Sequence, residues 1–153
     1  MMIRKILILI LSIFLLASCG YTPIYKNIEN VNFSIKFKES SGDRDINNKI
    51  KSKLLNYTLE NKEKNFTISF NSKYLKNIVA KDTTGAATEY KIIIETEFNI
   101  SSPNINKQIT LIESFNMQKI NDKLEEKDYE DSIKNSLTNI ITRKLVLRLS
   151  QFK

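Results

Sequence analysis

The alternation of hydrophobic and polar positions predicts four β-strands after residue 30. In each stretch apolar side chains recur at every second position, which is the pattern of a strand with one buried face. The predicted strands cover residues 31–37, 66–80, 89–100 and 105–118. The second loses its alternation after residue 70, and we expect a bulge or a bend near Ser72. Turn residues separate the last three strands, which predicts an antiparallel meander.

Two further stretches have the spacing of amphipathic helices, with apolar residues at steps of three and four. The first has a stripe at Ile46, Ile50, Leu54 and Tyr57 and is expected to end near residue 61. A turn cluster at 39–43 precedes it and supplies candidate caps. Asp128 is the predicted N-cap of the second helix. The apolar stripe of that helix consists of Tyr129, Ile133, Leu137, Ile140, Ile141, Leu145 and Leu149.

The element order β-α-β-β-β-α predicts an α+β fold, in which two helices cover one face of a four-stranded sheet. The sheet is expected to be mixed, with an antiparallel meander next to a first strand–helix–strand unit that suits a right-handed crossover. The other face of the sheet would carry Asn, Gln, Ser, Thr, Glu and Lys. Two explanations for this face stay open. It meets water, or it lies in a polar cavity of a partner, such as the lumen of a membrane barrel.

The start of the chain has a different pattern. Arg4 and Lys5 precede an apolar run at 6–16, and Ala17-Ser18-Cys19 follows. This order is typical of a secretory signal peptide, and its end resembles the bacterial lipobox. We expect cleavage before Cys19, a diacylglyceryl group on its thiol and an added acyl chain such as palmitate. A short uncleaved anchor and a buried cysteine are the alternatives, although the run is shorter than the roughly 20 residues that span a bilayer.

These patterns divide the chain into three parts. Residues 1–18 form a predicted lipoprotein signal peptide, residues 19–30 a lipidated tether, and residues 31–153 a single α+β domain. Gly, Pro and Asn residues in the tether disfavour regular structure there.

Composition narrows the possible chemistry. The chain has a net charge of +7, no His, one Cys and three Gly. Without His it lacks the usual general base and the commonest metal ligand. A lipid-modified Cys19 would leave no thiol nucleophile and no disulfide. We expect no enzymatic activity, no metal or cofactor and, for a secreted chain, no nucleic-acid partner. The positive charge favours an anionic partner, but a Lys- and Asn-rich composition also fits an AT-rich genome.

Three polar side chains are candidate catalytic groups. Glu95 and Glu97 point the same way from one predicted strand, roughly 7 Å apart, and Ser101 lies in a predicted turn. A solvated strand face and ordinary turn chemistry explain them without catalysis. A lipid-modifying enzyme that uses these residues is one of three hypotheses for the function; the other two, given below, are non-enzymatic.

Two motifs resemble the LptE family of lipopolysaccharide-assembly lipoproteins. Residues 19–25 read Cys-Gly-Tyr-Thr-Pro-Ile-Tyr, which is similar to the Cys-Gly-aromatic-x-Pro-Leu-Tyr start of the mature family members. Residues 82–88, followed by Tyr90, resemble the Asp/Gly-Ala-Thr segment that precedes a long strand in that family. The element order and the closing helix match as well. One departure is Glu89, where many members carry Arg.

The resemblance implies a non-enzymatic lipoprotein on the periplasmic side of the outer membrane. LptE proteins plug the LptD barrel, help it to assemble and help lipopolysaccharide to reach the outer leaflet. Gly20 follows the lipidated residue, and a residue other than Asp at this position is similar to the pattern in lipoproteins directed to the outer membrane. The second functional reading is an auxiliary lipoprotein subunit of another periplasmic lipid-transport or envelope-assembly complex.

Position along the chain also gives candidate ligand-binding residues. Lys81 lies beside the predicted turn at 82–85, and Lys123 and Lys127 come before the predicted last helix. Lysine can bind the phosphates of lipopolysaccharide through charge-assisted hydrogen bonds. The alternative is that all three are solvated loop lysines.

Overall fold

A computed structural model of the protein describes residues 31–58 and 62–152. The predicted signal peptide, Cys19 and the tether lie outside the described residues. The elements, in chain order, are β1 (Phe33–Gly42), α1 (Arg44–Leu54), β2 (Lys64–Lys81), β3 (Ala87–Ser102), β4 (Ile105–Gln118) and α2 (Lys123–Ser150). A 3-10 turn at Leu55–Tyr57 follows α1 directly. The predicted α+β fold and its order β-α-β-β-β-α are confirmed.

The four strands form one mixed sheet in the order β1-β2-β3-β4. β1 pairs with β2 in parallel, whereas β2 with β3 and β3 with β4 are antiparallel. A parallel pair needs a crossover connection, and α1 belongs to that connection. The predicted meander is confirmed, and the strand order, which the sequence pattern left open, follows the chain.

The core lies between the helices and one face of the sheet. Ile92, Ile94, Phe98 and Ile100 of β3 are buried, and so is the α2 stripe from Ile133 to Leu149 except Ile140, which is half-buried. Tyr129 is 37% exposed. Burial of one large apolar side chain contributes about 1.5–3 kcal/mol. The largest fully buried side chains are Ile46, Ile50, Leu54, Phe66, Ile68, Ile92, Ile94, Phe98, Ile100, Met117, Ile141 and Leu145.

The predicted irregularity at Ser72 is wrong. The inward alternation of β2 continues through residues 70–74, and Ser72 pairs with Thr96 of β3 without a register shift. Ser72 points into the core because its hydroxyl donates to Asn47 Oδ1 at 2.6 Å and to the Asp43 carbonyl oxygen at 3.2 Å. A polar residue at an inward position therefore marks a contact with α1 and its cap.

β1 also departs from its predicted length, because it continues through the predicted turn at 39–43 as far as Gly42. Its register against β2 shifts between Phe37 and Ser40. That bulge interrupts the alternation, which explains why the sequence pattern appeared to end at residue 37. Asp43 then caps α1, and its carboxylate accepts a hydrogen bond from Ile46 N at 2.9 Å.

α2 begins at Lys123, six residues before the first residue expected from an N-cap at Asp128. Asp122 is its N-cap instead of Asp128, and the Asp122 carboxylate accepts hydrogen bonds from Leu124 N at 2.7 Å and Glu125 N at 3.0 Å. The first turns of α2 bury no apolar side chain, so hydrophobic periodicity gave no sign of them. Within the part of the chain that the structure describes, no helix is long and apolar enough to cross a membrane.

Candidate functional site

The two ends of the long sheet differ. β2 has 18 residues and β3 has 16, so the hairpin they form is about 50 Å long at roughly 3.3 Å per residue. β1 begins at one end, where Phe33 pairs with the first residue of β2. The β2–β3 turn lies at the other end, close to the start of α2, since Lys119 N donates to the Thr88 carbonyl oxygen at 2.9 Å. We call residues 78–90 and 117–127 the hairpin end.

The turn at the hairpin end is closed by one carboxylate. Asp82 Oδ1 accepts hydrogen bonds from the Thr84 hydroxyl at 2.6 Å, Thr84 N at 2.8 Å and Ala86 N at 3.0 Å. These bonds, above all the one from the Thr84 hydroxyl, lower the pKa of the Asp82 carboxyl. Gly85 supplies the positive φ of 86° that the turn requires. The turn is therefore organised by its own residues.

All three candidate lysines lie at the hairpin end. Lys81 is the last residue of β2 and Lys123 is the first residue of α2. Lys127 follows one turn later, so Lys123 and Lys127 lie within the helix and not before it, contrary to prediction. Each is exposed, and within the described ranges none takes part in an ion pair.

The position of Lys123 works against helix stability. The first turn of a helix disfavours positive charge because backbone N–H groups point out of it. Lys123 occupies that turn, and Lys127 lies four residues on, which places both on one side of α2.

A partly buried ionic cluster joins α2 to β2 beside these lysines. We define it as Tyr74, Lys76, Glu126, Glu130 and Lys134. Lys76 Nζ lies 3.0 Å from Glu126 Oε1 and 2.7 Å from Glu130 Oε2. Glu130 Oε1 also accepts from the Tyr74 hydroxyl at 2.6 Å and lies 3.1 Å from Lys134 Nζ. The cluster holds the start of α2 against the sheet.

The ionic cluster shifts the pKa values of Glu130 and Tyr74 further from neutral pH. Partial burial alone would raise the pKa of the Glu130 carboxyl, but hydrogen bonds from Lys76, Tyr74 and Lys134 outweigh burial and lower the pKa to about 2. Burial and the hydrogen bond to Glu130 raise the pKa of the Tyr74 hydroxyl. A general acid or base works best with a pKa near the working pH. These shifts therefore suit a structural role.

Sequence analysis missed the ionic cluster, although one signal was present. Lys76 occupies an inward position of β2, where the alternation calls for an apolar residue. An inward lysine needs an acidic partner, and α2 supplies Glu126 and Glu130. The aromatic ring of Tyr90 also covers Lys76 Nζ, which lies 4.3 Å from the ring centroid.

Two of the three candidate catalytic residues, Glu95 and Ser101, have ordinary partners. Glu95 and Glu97 share the outward face of β3, as predicted. Glu95 lies 3.9 Å from Lys73 of the neighbouring strand. The Ser101 hydroxyl donates to the Thr67 carbonyl oxygen at 3.3 Å. These contacts explain the residues without a substrate.

The sheet face opposite the helices carries mainly short polar side chains, and we call it the polar face. Ile93, Leu75 and Ile112 are the apolar exceptions, and the last two are 45% and 57% exposed. The polar side chains of this face include Thr67, Ser69, Asn71, Lys73, Glu95, Glu97, Asn99, Gln108, Thr110, Ser114 and Asn116.

Comparison with known proteins finds the fold but no sequence relative. No family model matches the chain, and no curated protein matches it by sequence. The fold is similar to that of rare lipoprotein B from Shewanella oneidensis, with a TM-score of 0.55 and 10% identity over 74% of this chain and 94% of that one. A putative lipoprotein from Caulobacter crescentus has a TM-score of 0.53 and 11% identity, over 81% of this chain and 93% of its own.

A third solved structure, of uncharacterized lipoprotein B from Nitrosomonas europaea, has a TM-score of 0.52 and 12% identity. The match covers 79% of this chain and 86% of that one. At such identities the likeness shows a shared fold.

Proposed function

We propose that this protein is a lipid-anchored lipoprotein of the outer membrane, which acts as plug and assembly partner of an LptD-type barrel in lipopolysaccharide transport to the outer leaflet. The proposal rests on the agreement between two features of the chain. The lipobox-like segment that ends at Cys19 precedes a domain whose fold recurs in proteins named as lipoproteins. The segment and the fold are independent features of the chain, and both favour the same class of protein.

The proposed anchor at Cys19 would act by confinement. Each buried methylene contributes about 0.8 kcal/mol, and a single acyl chain anchors only reversibly. Two or three chains would keep the domain at the membrane surface and raise its effective concentration near a barrel in the same membrane. The expected role therefore needs no catalytic group. Glu95→Gln and Ser101→Ala are expected to leave it intact.

The shape of the domain suits the lumen of a large barrel. Lumen walls are polar, and the apolar band of such a barrel is about 25 Å tall. The β2–β3 hairpin, at about 50 Å, is long enough to extend through a space of that height. The polar face would meet the wall through the hydrogen-bonding side chains of Asn, Gln, Ser and Thr.

The lysines of the hairpin end are the proposed contacts to lipopolysaccharide. Its phosphates would be bound by Lys81, Lys123 and Lys127, which lie at the end of the sheet remote from the start of β1. We expect the double variant Lys81→Glu/Lys127→Glu to bind lipopolysaccharide at least about tenfold more weakly. The control is Lys38→Glu, an exposed lysine of β1. Equal affinity of the double variant and the unaltered chain would remove these lysines from the proposal.

A pull-down in mild detergent tests the choice of partner. The full chain is tagged at its C-terminus and expressed in a bacterium that has an outer membrane. It is expected to retain one large outer-membrane barrel protein. The Cys19→Ala chain should retain much less of it, because it lacks the anchor. Recovery of an inner-membrane transporter instead would favour the alternative, an auxiliary subunit of another lipid-transport complex. Full retention by Cys19→Ala would contradict the confinement argument.

A further inference from the structure

The two outer strands of the sheet have different edges. β1 contains a register shift between Phe37 and Ser40 and carries exposed Lys36 and Lys38. Bulges and lysines are the usual features that prevent an edge from pairing with another strand. β4 has no such shift, because its 14 residues pair with β3 in continuous register, and its one lysine is Lys107, near the start of the strand. No described strand pairs with the outer edge of β4.

A groove runs along the middle of this open edge. It has a volume of about 420 Å³ and lies between β4 residues 110–113 and the C-terminal part of α2. Ile112 and Leu147 line it and are 57% and 45% exposed. We call this region the β4 groove. One wall of the groove is a strand edge, and the outward N–H and C=O groups of such an edge can pair with the backbone of an added strand.

The charge of the β4 groove is positive. Lys144 of α2 forms an ion pair with Glu113 of β4. Arg148 is also exposed in the groove, and within residues 31–58 and 62–152 it takes part in no ion pair. A strand added beside β4 would place alternate side chains on the α2 side and on the polar face. Acidic residues fit the first set, beside Arg148, and apolar residues fit the second, beside Ile112.

A second copy of this chain fits the β4 groove poorly. Symmetric pairing of two β4 strands would bring two sets of Lys144 and Arg148 towards one another. It would also join two chains that each carry a net charge of +5 over residues 19–153, and β4 itself contributes one lysine and one glutamate. Like charges at close range oppose association. Charge therefore selects a different, acidic partner.

We propose that the outer edge of β4 is a docking site for an extended acidic segment of a partner protein, which adds to the sheet as a fifth strand. The segment alternates acidic residues, which face Lys144 and Arg148, with apolar residues, which cover Ile112. This contact does not depend on which barrel or complex the protein serves, so its test is separate from that of the proposed function.

A labelled peptide tests this proposal on the full chain in mild detergent. The probe alternates Glu with Val and has about eight residues, the length of an ordinary strand. We expect saturable binding by fluorescence anisotropy, together with slower amide hydrogen exchange in β4 and not in β1. A peptide with Lys in place of Glu should bind at least about tenfold more weakly, and so should one with a central proline.

Two pairs of variants locate the contact. Ile112→Lys and Arg148→Glu should each weaken binding of the Glu–Val peptide at least about tenfold. Their matched controls are Leu75→Lys, an exposed residue of the same face on an inner strand, and Lys38→Glu, on the opposite edge; both should bind normally. Equal binding of the Lys peptide, unaffected binding by Ile112→Lys, or exchange protection confined to β1 would overturn the proposal. So would sedimentation showing a dimer that Ile112→Lys dissociates.

Discussion

A side chain at Gly42 would overlap the carbonyl oxygen of Ser72, because the backbones of β1 and β2 approach closely there. Gly42 also has a φ of 87°, in the left-handed region that favours glycine. Just beyond it, Asp43 N donates to that same Ser72 oxygen at 2.8 Å. This group of contacts turns the chain from β1 into α1.

Two glycines provide a matched test of this close approach. Gly85 has nearly the same φ, 86°, but a Cβ there would meet nothing within 4 Å. Gly85→Ala should cost about 1 kcal/mol of unfolding free energy, from backbone strain alone. Gly42→Ala should cost about 3 kcal/mol or more, since strain and overlap add. Urea unfolding followed by circular dichroism measures both. Equal losses would show that the approach at Gly42 can relax.

The lowered pKa of the Glu130 carboxyl predicts that the stability of the fold depends on pH. Its pKa is about 2 in the folded chain, below the ordinary 4.5. A lowered pKa stabilises the fold above pH 4.5, and this contribution is lost as the pH falls towards 2. Glu130→Gln should therefore lower the urea midpoint at pH 7, and the gap from the unaltered chain should narrow between pH 5 and pH 2.

Glu125→Gln is the control for this pH series. Glu125 lies on the same helix, is exposed and belongs to no ion pair among the described residues. Its substitution removes only the interaction of a first-turn carboxylate with the helix dipole, about 0.3–1 kcal/mol, so it should change the urea midpoint much less than Glu130→Gln from pH 7 to pH 2. A gap for Glu130→Gln that stays constant over this range would mean that the carboxyl does not stabilise the fold through its charge.

At the scale of elements, α2 shows what hydrophobic periodicity can and cannot predict. Its part from Ile133 to Leu149 was predicted because apolar side chains face the core. Its first six residues, 123–128, were not, because they bury no apolar side chain and Glu126 binds Lys76 there instead. The same limit explains Ser72 in β2. A polar residue at an inward position looks like a break until its partner on another element is known.

The position of the N-cap of α2 can be tested with two substitutions. Asp122→Ala removes a carboxylate that accepts hydrogen bonds from Leu124 N and Glu125 N, so it should lower the urea midpoint. Asp128→Ala removes an exposed carboxylate inside the helix and should change it little. The reverse order would restore Asp128 as the start of the helix.

At the scale of the whole molecule, the element order, the meander and the candidate lysines followed from the sequence, whereas the ionic cluster and the open edge of β4 did not. Lys81 and Lys123 are 42 positions apart in the chain and share one end because β3 and β4 fold back between them. The open edge of β4 depends on strand order, which no local pattern specifies. Strand order and register must be known before lysines or edges can be grouped into a surface.

Photo-crosslinking from the polar face, inside cells, tests the central claim most directly. A photoreactive residue at Asn99, which is exposed on β3, should form an adduct of the full lipidated chain with one outer-membrane barrel protein. The same residue in the Cys19→Ala chain should give far less adduct. An adduct with an inner-membrane protein, or none with any barrel, would contradict the claim that this protein works inside a barrel.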